Sequence, residues 1–181
     1  TIRSDTGVCP ACTSSKMDKG ALSQDLPELT KALLDSAGRP SDPGRAELRQ
    51  THVSYLLFTD DFVYKIKKPV NFGFLDFTSL EARRIYCDEE VRLNRRLAPR
   101  VYFGVVAITK EDGGFKLGGD GEVLEYAVKM KRLPEELSLR RMLDAGVVTE
   151  ELIRRLGAAI AAFHENAGTD AHISGFGSPE A

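Results

Sequence analysis

The chain has 181 residues, with 25 Lys+Arg against 27 Asp+Glu, a formal net charge of -2, 42% hydrophobic residues and no Trp. At roughly 150 residues per domain this is one domain, or one domain with a tail, and it is long enough to bury a core. The balanced charge removes a bulk electrostatic case for nucleic acid, and with no run of about 20 apolar residues and no signal peptide the expectation is a cytoplasmic protein away from membranes.

Residues 1–24 lack periodicity and are rich in Ser, Thr, Gly and Lys, so a disordered leader is expected. Cys9 and Cys12 within it have the spacing of half a zinc site or of a redox pair. His52, His164 and His172 show no zinc-finger spacing to them, and no strand and helix flank them, so an incidental pair is expected. The odd count, with Cys87 alone, argues against a disulfide framework. Residues 27–37 predict a short helix, with Pro27 in the first turn, Leu29, Leu33 and Leu34 as its apolar stripe and Gly38 to close it. Residues 39–44, with two prolines, read as a linker.

From residue 46 to 70 the pattern turns to strand. Val53 and residues 55–58 lead through Thr59, Asp60 and Asp61 to residues 62–67, two β-rich runs around a tight polar turn. The loop 71–77 carries three Phe and a Leu and is expected to pack back onto the sheet. Thr78 and Glu81 fit a capping box that opens a helix running to about Leu97. Its expected buried positions are Leu80, Ile85, Cys87, Val91, Leu93 and Leu97. Strands are predicted over 101–109 and 122–132, with a short pairing at 115–117 between glycine-marked turns.

After Pro134 the chain reads as helical. One helix is expected over 137–145, closed by Gly146. A second is capped by Thr149, with Glu150 and Glu151 in its first turn and a stripe of Leu152, Leu156, Ile160 and Phe163. Residues 168–181 read as loop. The order of elements, strand-strand, long helix, strand-strand and two helices, is an α+β arrangement.

One spacing points to chemistry. Period-two alternation puts Val63, Lys65 and Lys67 on one strand face and Phe62, Tyr64 and Ile66 on the other. A mid-strand lysine followed by a glutamate-rich helix is the layout in which a strand lysine holds nucleotide phosphates and a helix carboxylate holds the lysine. Glu89 and Glu90 lie about 100° apart around the axis, so only one faces the lysine well. Glu90, three and seven residues before Leu93 and Leu97, is preferred, with Glu89 in reserve. The plainer alternative is a solvated lysine face, with acids answering Arg92, Arg95 and Arg96.

Several stretches together resemble the aminoglycoside phosphotransferase-like family, whose fold is protein-kinase-like. They are Thr-His-Val-Ser at 51–54, Tyr-Lys-Ile-Lys-Lys-Pro-Val at 64–70, Phe-Leu-Asp-Phe at 74–77, Arg-Leu-Asn-Arg-Arg-Leu-Ala-Pro at 92–99, Tyr-Phe-Gly-Val-Val at 102–106 and Glu-Tyr-Ala-Val-Lys-Met-Lys-Arg-Leu-Pro at 125–134. More narrowly they are similar to a bacterial branch often fused to a downstream P-loop ATPase or kinase domain. The resemblance covers about residues 28–178. It implies a kinase-like small lobe over 25–133, the first helices of a truncated large lobe over 134–181, and ATP with Mg2+ for transfer of the γ-phosphoryl group to the hydroxyl of a small molecule.

On that resemblance Lys65 is the phosphate lysine and Glu90 its partner. Val63 roofs the adenine, the strand leaves for the second lobe over Met130 to Leu133, where backbone groups of Lys131 and Leu133 read the adenine edge, and the turn near Thr51 to Ser54 covers the phosphates. Two departures stand out. No Gly-x-Gly-x-x-Gly covers the phosphates, and no catalytic loop with a base Asp, an Asn and a Mg2+-binding Asp follows His164. The chain alone is therefore expected to lack phosphotransferase activity and Mg2+ ligands. A non-catalytic pseudokinase or interaction module is the alternative from another class. A nucleic-acid face built from Arg83, Arg84, Arg92, Arg95 and Arg96 is disfavoured by the interleaved Glu81, Asp88, Glu89 and Glu90.

Overall fold

Residues 47–67, with β-rich runs at 55–58 and 62–67 around the polar turn 59–61, fold as a three-stranded antiparallel meander in the computed structural model, which describes residues 29–33, 46–111, 114–175 and 177. The strands are β1 (Glu47–Gln50), β2 (Ser54–Phe58) and β3 (Phe62–Lys67). The expected β2–β3 hairpin is present, and β1 adds a further strand ahead of it. Its turn is closed from both sides: the Thr59 amide donates to the Phe62 carbonyl (2.9 Å), and the Phe62 amide donates to Thr59 Oγ1 (3.2 Å). The leader with Cys9 and Cys12, the linker 39–44 and most of the predicted first helix lie outside the described residues, although residues 29–33 are helical (α1).

Helix α2 (Leu80–Asn94) follows, then β4 (Tyr102–Glu111), β5 (Gly114–Leu117) and β6 (Glu122–Lys131). A 3-10 turn (Glu135–Leu137) leads to α3 (Leu139–Asp144), α4 (Glu150–Glu165) and α5 (Ala171–Gly175). The six strands form one antiparallel sheet in the order β1-β2-β3-β6-β4-β5, so β6 returns to lie between β3 and β4. The architecture is α+β, as the order of elements predicts.

The sheet is covered on both faces. On one, Leu57, Ile66, Ile108 and Ala127 pack with Leu29 and Leu33 of α1. On the other, Val128, Tyr102, Val105, Tyr126 and Met130 pack with Cys87 and Val91 of α2. The alternation predicted for β3 holds: Ile66 and Tyr64 face α1, whereas Lys65 and Lys67 reach α2. A register shift between Ile108 and Thr109 interrupts the alternation in β6. Leu124 consequently packs on the α1 face while both Glu125 and Tyr126 turn toward α2.

Several local expectations need correction. Thr78 does not cap α2; its hydroxyl is engaged by Asp76 (2.6 Å), and Ser79 is the N-cap, accepting from the Ala82 amide (3.0 Å). The helix stops at Asn94 rather than Leu97, and its buried residues are Arg83, Cys87 and Val91. Ile85, Leu93 and Leu97 are exposed, because α2 rests on β4 and β6 through one narrow stripe. Of the aromatic loop only Phe77 is buried; Phe72 and Phe74 stack on each other in solvent, Phe74 with 88% of its surface exposed. The helix expected over 137–145 is split at Ser138, which caps α3, although Gly146 does end it, at φ 67°. Residues 171–175, expected as loop, are helical. The stripe of α4 forms on a helix capped by Thr149 as predicted, but Leu156 and Ile160 are exposed among the described residues.

Candidate functional site

The α2 stripe determines which acid faces the sheet. Cys87 and Val91 are one turn apart and buried against Val128. Glu90, three residues past Cys87, therefore leans over β3, whereas Glu89 points outward to Arg92 Nη2 at 2.6 Å. The sequence favours Glu90 for its proximity to Leu93 and Leu97, which are exposed; the stripe that orients it is Cys87 and Val91.

The structure brings Lys65 and Glu90 together across 25 positions, with Lys65 Nζ donating to Glu90 Oε1 at 2.8 Å. Lys67 Nζ donates to the other oxygen, Oε2, also at 2.8 Å. One carboxylate thus bridges two ammonium groups two residues apart on one strand. Their environments differ: the Lys67 side chain is 6% exposed, Lys65 29% and Glu90 14%. Lys67 Nζ also lies 4.9 Å from the centre of the Phe77 ring. Burial acts to raise the Glu90 pKa, but the hydrogen bonds and charges of Lys65 and Lys67 outweigh it, so the carboxyl sits below the ordinary glutamate range. Beside it, burial pushes the Cys87 thiol up to about 12. The triad carries a net charge of one positive unit and presents Lys65 as its accessible member, an arrangement suited to receiving an anion.

Of the other predicted residues, Ser54, Val63 and Met130 lie on the same face, whereas Lys131, paired with Phe62, turns to the opposite one. Ser54 pairs with Lys67, Leu56 with Lys65, and Phe58 with Val63. Directly opposed residues stand about 5 Å apart at Cβ, so Ser54 adjoins the triad. Its hydroxyl is buried and, among the described residues, has no hydrogen-bond partner. Thr51 holds the β1–β2 turn, its Oγ1 accepting from the Ser54 amide (3.0 Å), while Lys68 Nζ donates to its carbonyl (2.7 Å). Val63 is buried and pairs with Met130 on β6.

Toward the chain's exit from β6 lies an open cleft of about 750 Å³, lined by residues including Arg49, Phe58, Arg132, Leu133 and Pro134. That volume falls in the range of small-molecule sites. Lys65 is not in its lining, but stands on the same face two residues, or about 7 Å, beyond the Phe58–Val63 pair. The Lys131 amide is already committed to the Val101 carbonyl (2.8 Å) and so is not available to a ligand. The backbone of Leu133 makes no hydrogen bond among the described residues.

The sequence pattern gave no warning of a second ion pair. Arg83, grouped with the surface arginines, is buried, and its Nε donates to the equally buried Glu125 Oε2 at 2.8 Å. Its Nη1 donates to the carbonyls of Phe77 and Thr78, both at 2.9 Å. The signal that identifies it is spacing, since 83, 87 and 91 form one continuous stripe. Burial pushes the Glu125 carboxyl upward, against the pull of Arg83 and of the Tyr126 amide. Among the described residues no three His, Cys, Asp or Glu side chains cluster as a metal site, and no helix is long and apolar enough to cross a membrane.

No family model and no solved structure matches the chain. It is similar to an uncharacterized protein of Mycobacterium tuberculosis (strain H37Rv), 31% identical over 121 residues that make up 67% of this chain and 23% of the relative. Uncharacterized proteins of Mycobacterium tuberculosis (strain CDC 1551) and Mycobacterium bovis match to the same extent. The chain thus spans about a quarter of the length of the curated relatives it matches.

Proposed function

We propose that the chain is the nucleotide-binding part of a cytoplasmic, aminoglycoside phosphotransferase-like small-molecule kinase, with the sheet and α2 as its kinase-like small lobe. The observation that carries this reading is the 2.8 Å contact between Lys65 in the middle of β3 and Glu90 on the helix packed against the same sheet. Phosphoryl transfer needs a cation at the phosphates, and a carboxylate that holds an otherwise floppy ammonium in place lowers the entropic cost of using it.

The surrounding groups fit a nucleotide. Lys65 would neutralise phosphate oxygens, and the β1–β2 turn at Thr51 and Ser54 would cover them, with the orphaned Ser54 hydroxyl a donor in search of an acceptor. Val63 and Met130 would supply the apolar wall for the base, while the Lys131 carbonyl and the Leu133 backbone would read its edge. When bound with the nucleotide, Mg2+ would supply charge neutralisation at the phosphate oxygens during transfer to a substrate hydroxyl. Its ligands, the catalytic base and the acceptor site would come from polypeptide beyond these residues, for which relatives several times longer than the matched stretch have room.

The test is equilibrium binding of a fluorescent ATP analogue to the full-length protein, followed by phosphotransfer assays on hydroxyl compounds. Lys65→Met should weaken ATP binding or turnover by tenfold or more, about 1.4 kcal/mol. Lys110→Met, on a strand remote from the triad, should change neither. ATP binding indifferent to Lys65, or no binding at all, would remove the basis of the reading.

A further inference from the structure

We propose that Lys68 is a positioning residue of the nucleotide site: it holds the β1–β2 turn rigid, so that the turn meets the phosphates as a pre-set cover in place of a flexible glycine-rich one. The clamp is present in the structure; its role toward phosphate rests on the function proposed above.

Residues 47–58 contain no glycine, so the turn lacks the backbone freedom of a glycine-rich loop. Lys68, the residue after β3, fixes it further. Its Nζ donates to the Thr51 carbonyl (2.7 Å) and to Gln50 Oε1 (3.1 Å), and lies 4.7 Å from the centre of the Tyr55 ring. The Lys68 amide donates to the Val53 carbonyl and the Lys68 carbonyl accepts from the Val70 amide, both at 2.8 Å. One residue thus grips the end of β1, the turn and the start of β2. Tyr55 packs with the α1 cluster, so the grip comes from the face opposite Lys65 and Lys67. It leaves the Lys65–Glu90 pair undisturbed and the face of the triad clear for a ligand.

The turn also commits its amides internally. Those of Val53 and Ser54 donate to Thr51 Oγ1 (3.4 and 3.0 Å), and that of Thr51 donates to the Ser54 carbonyl (2.8 Å). Among the described residues the His52 amide makes no hydrogen bond. A glycine-rich cover lays successive amides on phosphate. Here the His52 amide and the Ser54 hydroxyl are the backbone and hydroxyl donors left, so the placement of the turn decides whether they meet an oxygen. A cover already fixed loses little conformational entropy when ATP arrives, and Lys68 is what fixes it.

The experiment compares ATP with adenosine, which lacks the phosphates, as competitors of a fluorescent ATP analogue on the full-length protein. Lys68→Met should weaken ATP binding about five- to tenfold and leave adenosine binding unchanged, and Lys68→Arg, which keeps the donors, should retain most of the ATP affinity. Gln50→Ala removes one acceptor of the clamp without altering any charge, and should show the same split at about two- to threefold. Equal loss of ATP and adenosine affinity, no rescue by arginine, or a Gln50→Ala protein that binds ATP as the parent does overturns the assignment. Should Lys68→Met fail to fold, Gln50→Ala decides alone. Lys65→Met separates the two proposals. ATP binding that depends on Lys65 but not on Lys68 overturns the role of the clamp and leaves the proposed function standing, whereas a parent protein that binds no ATP removes both.

Discussion

Arg83 reaches Glu125 across 42 positions of sequence, and the pair is enclosed between α2 and β6 with neither side chain more than 1% exposed. The guanidinium also collects the last two carbonyls of the loop that leads into α2. One side chain therefore ties together loop, helix and sheet next to the lysine triad.

Removing one member strands the other without a countercharge. Arg83→Met is expected to cost about 3–5 kcal/mol, whereas the double variant Arg83→Met/Glu125→Leu should cost clearly less than the sum of the single changes. Urea unfolding of the four proteins measures the coupling, and strict additivity would mean that the pair is not energetically linked.

The Glu90 carboxyl has a folded-state pKa below that of the unfolded chain, so the sign of its pH effect is fixed. Its contribution is fully present above the ordinary glutamate range and is lost as pH falls through the depressed folded value. The stability difference between the parent and Glu90→Gln should therefore be flat from pH 6 to 8, near neutrality where it is about 1–3 kcal/mol, and should shrink in acid. Thermal unfolding at a series of pH values tests this; a difference that grows on acidification would contradict it.

Ser54 separates stability from function. Its buried hydroxyl makes no hydrogen bond among the described residues, so Ser54→Ala should leave stability unchanged or raise it by up to about 1 kcal/mol. Under the proposed function the same change should weaken ATP binding several-fold. Loss of stability without loss of affinity would point to a structural hydroxyl instead.

At the start of α2, Ser79→Ala should cost about 1 kcal/mol because the Ala82 amide loses its acceptor. Thr78→Ala removes a hydrogen bond to an exposed Asp76 and should cost less. Denaturant midpoints of the two variants compare them directly.

The strands and the order of elements were legible because period-two patterning and turn residues are local signals. Adjacent Thr78 and Ser79 are both residue types favoured at an N-cap, and the Glu81 spacing points to Thr78, but Asp76 engages the Thr78 hydroxyl and Ser79 takes the cap. Apolar character alone mispredicted Ile85, Leu93 and Leu97: a helix resting on two strands buries one row of side chains, not every leucine it owns. Arg83 escaped notice for the converse reason, since a charge reads as surface until its distant partner is known. Alternation put Lys67 beside Lys65, but its hold on the same carboxylate depends on how α2 crosses the sheet, which no local pattern encodes. The exposed Phe72 and Phe74 likewise defy the rule that aromatic loops seek cover.

The position of β6 between β3 and β4 has a kinetic corollary. The first three strands can form a meander early in synthesis, and β4 and β5 can zip as a hairpin, but the seam between β3 and β6 must wait until the last strand has left the ribosome. Until then β3 has one open edge, and the lysines it carries, unattractive to another strand, serve as gatekeepers against premature pairing.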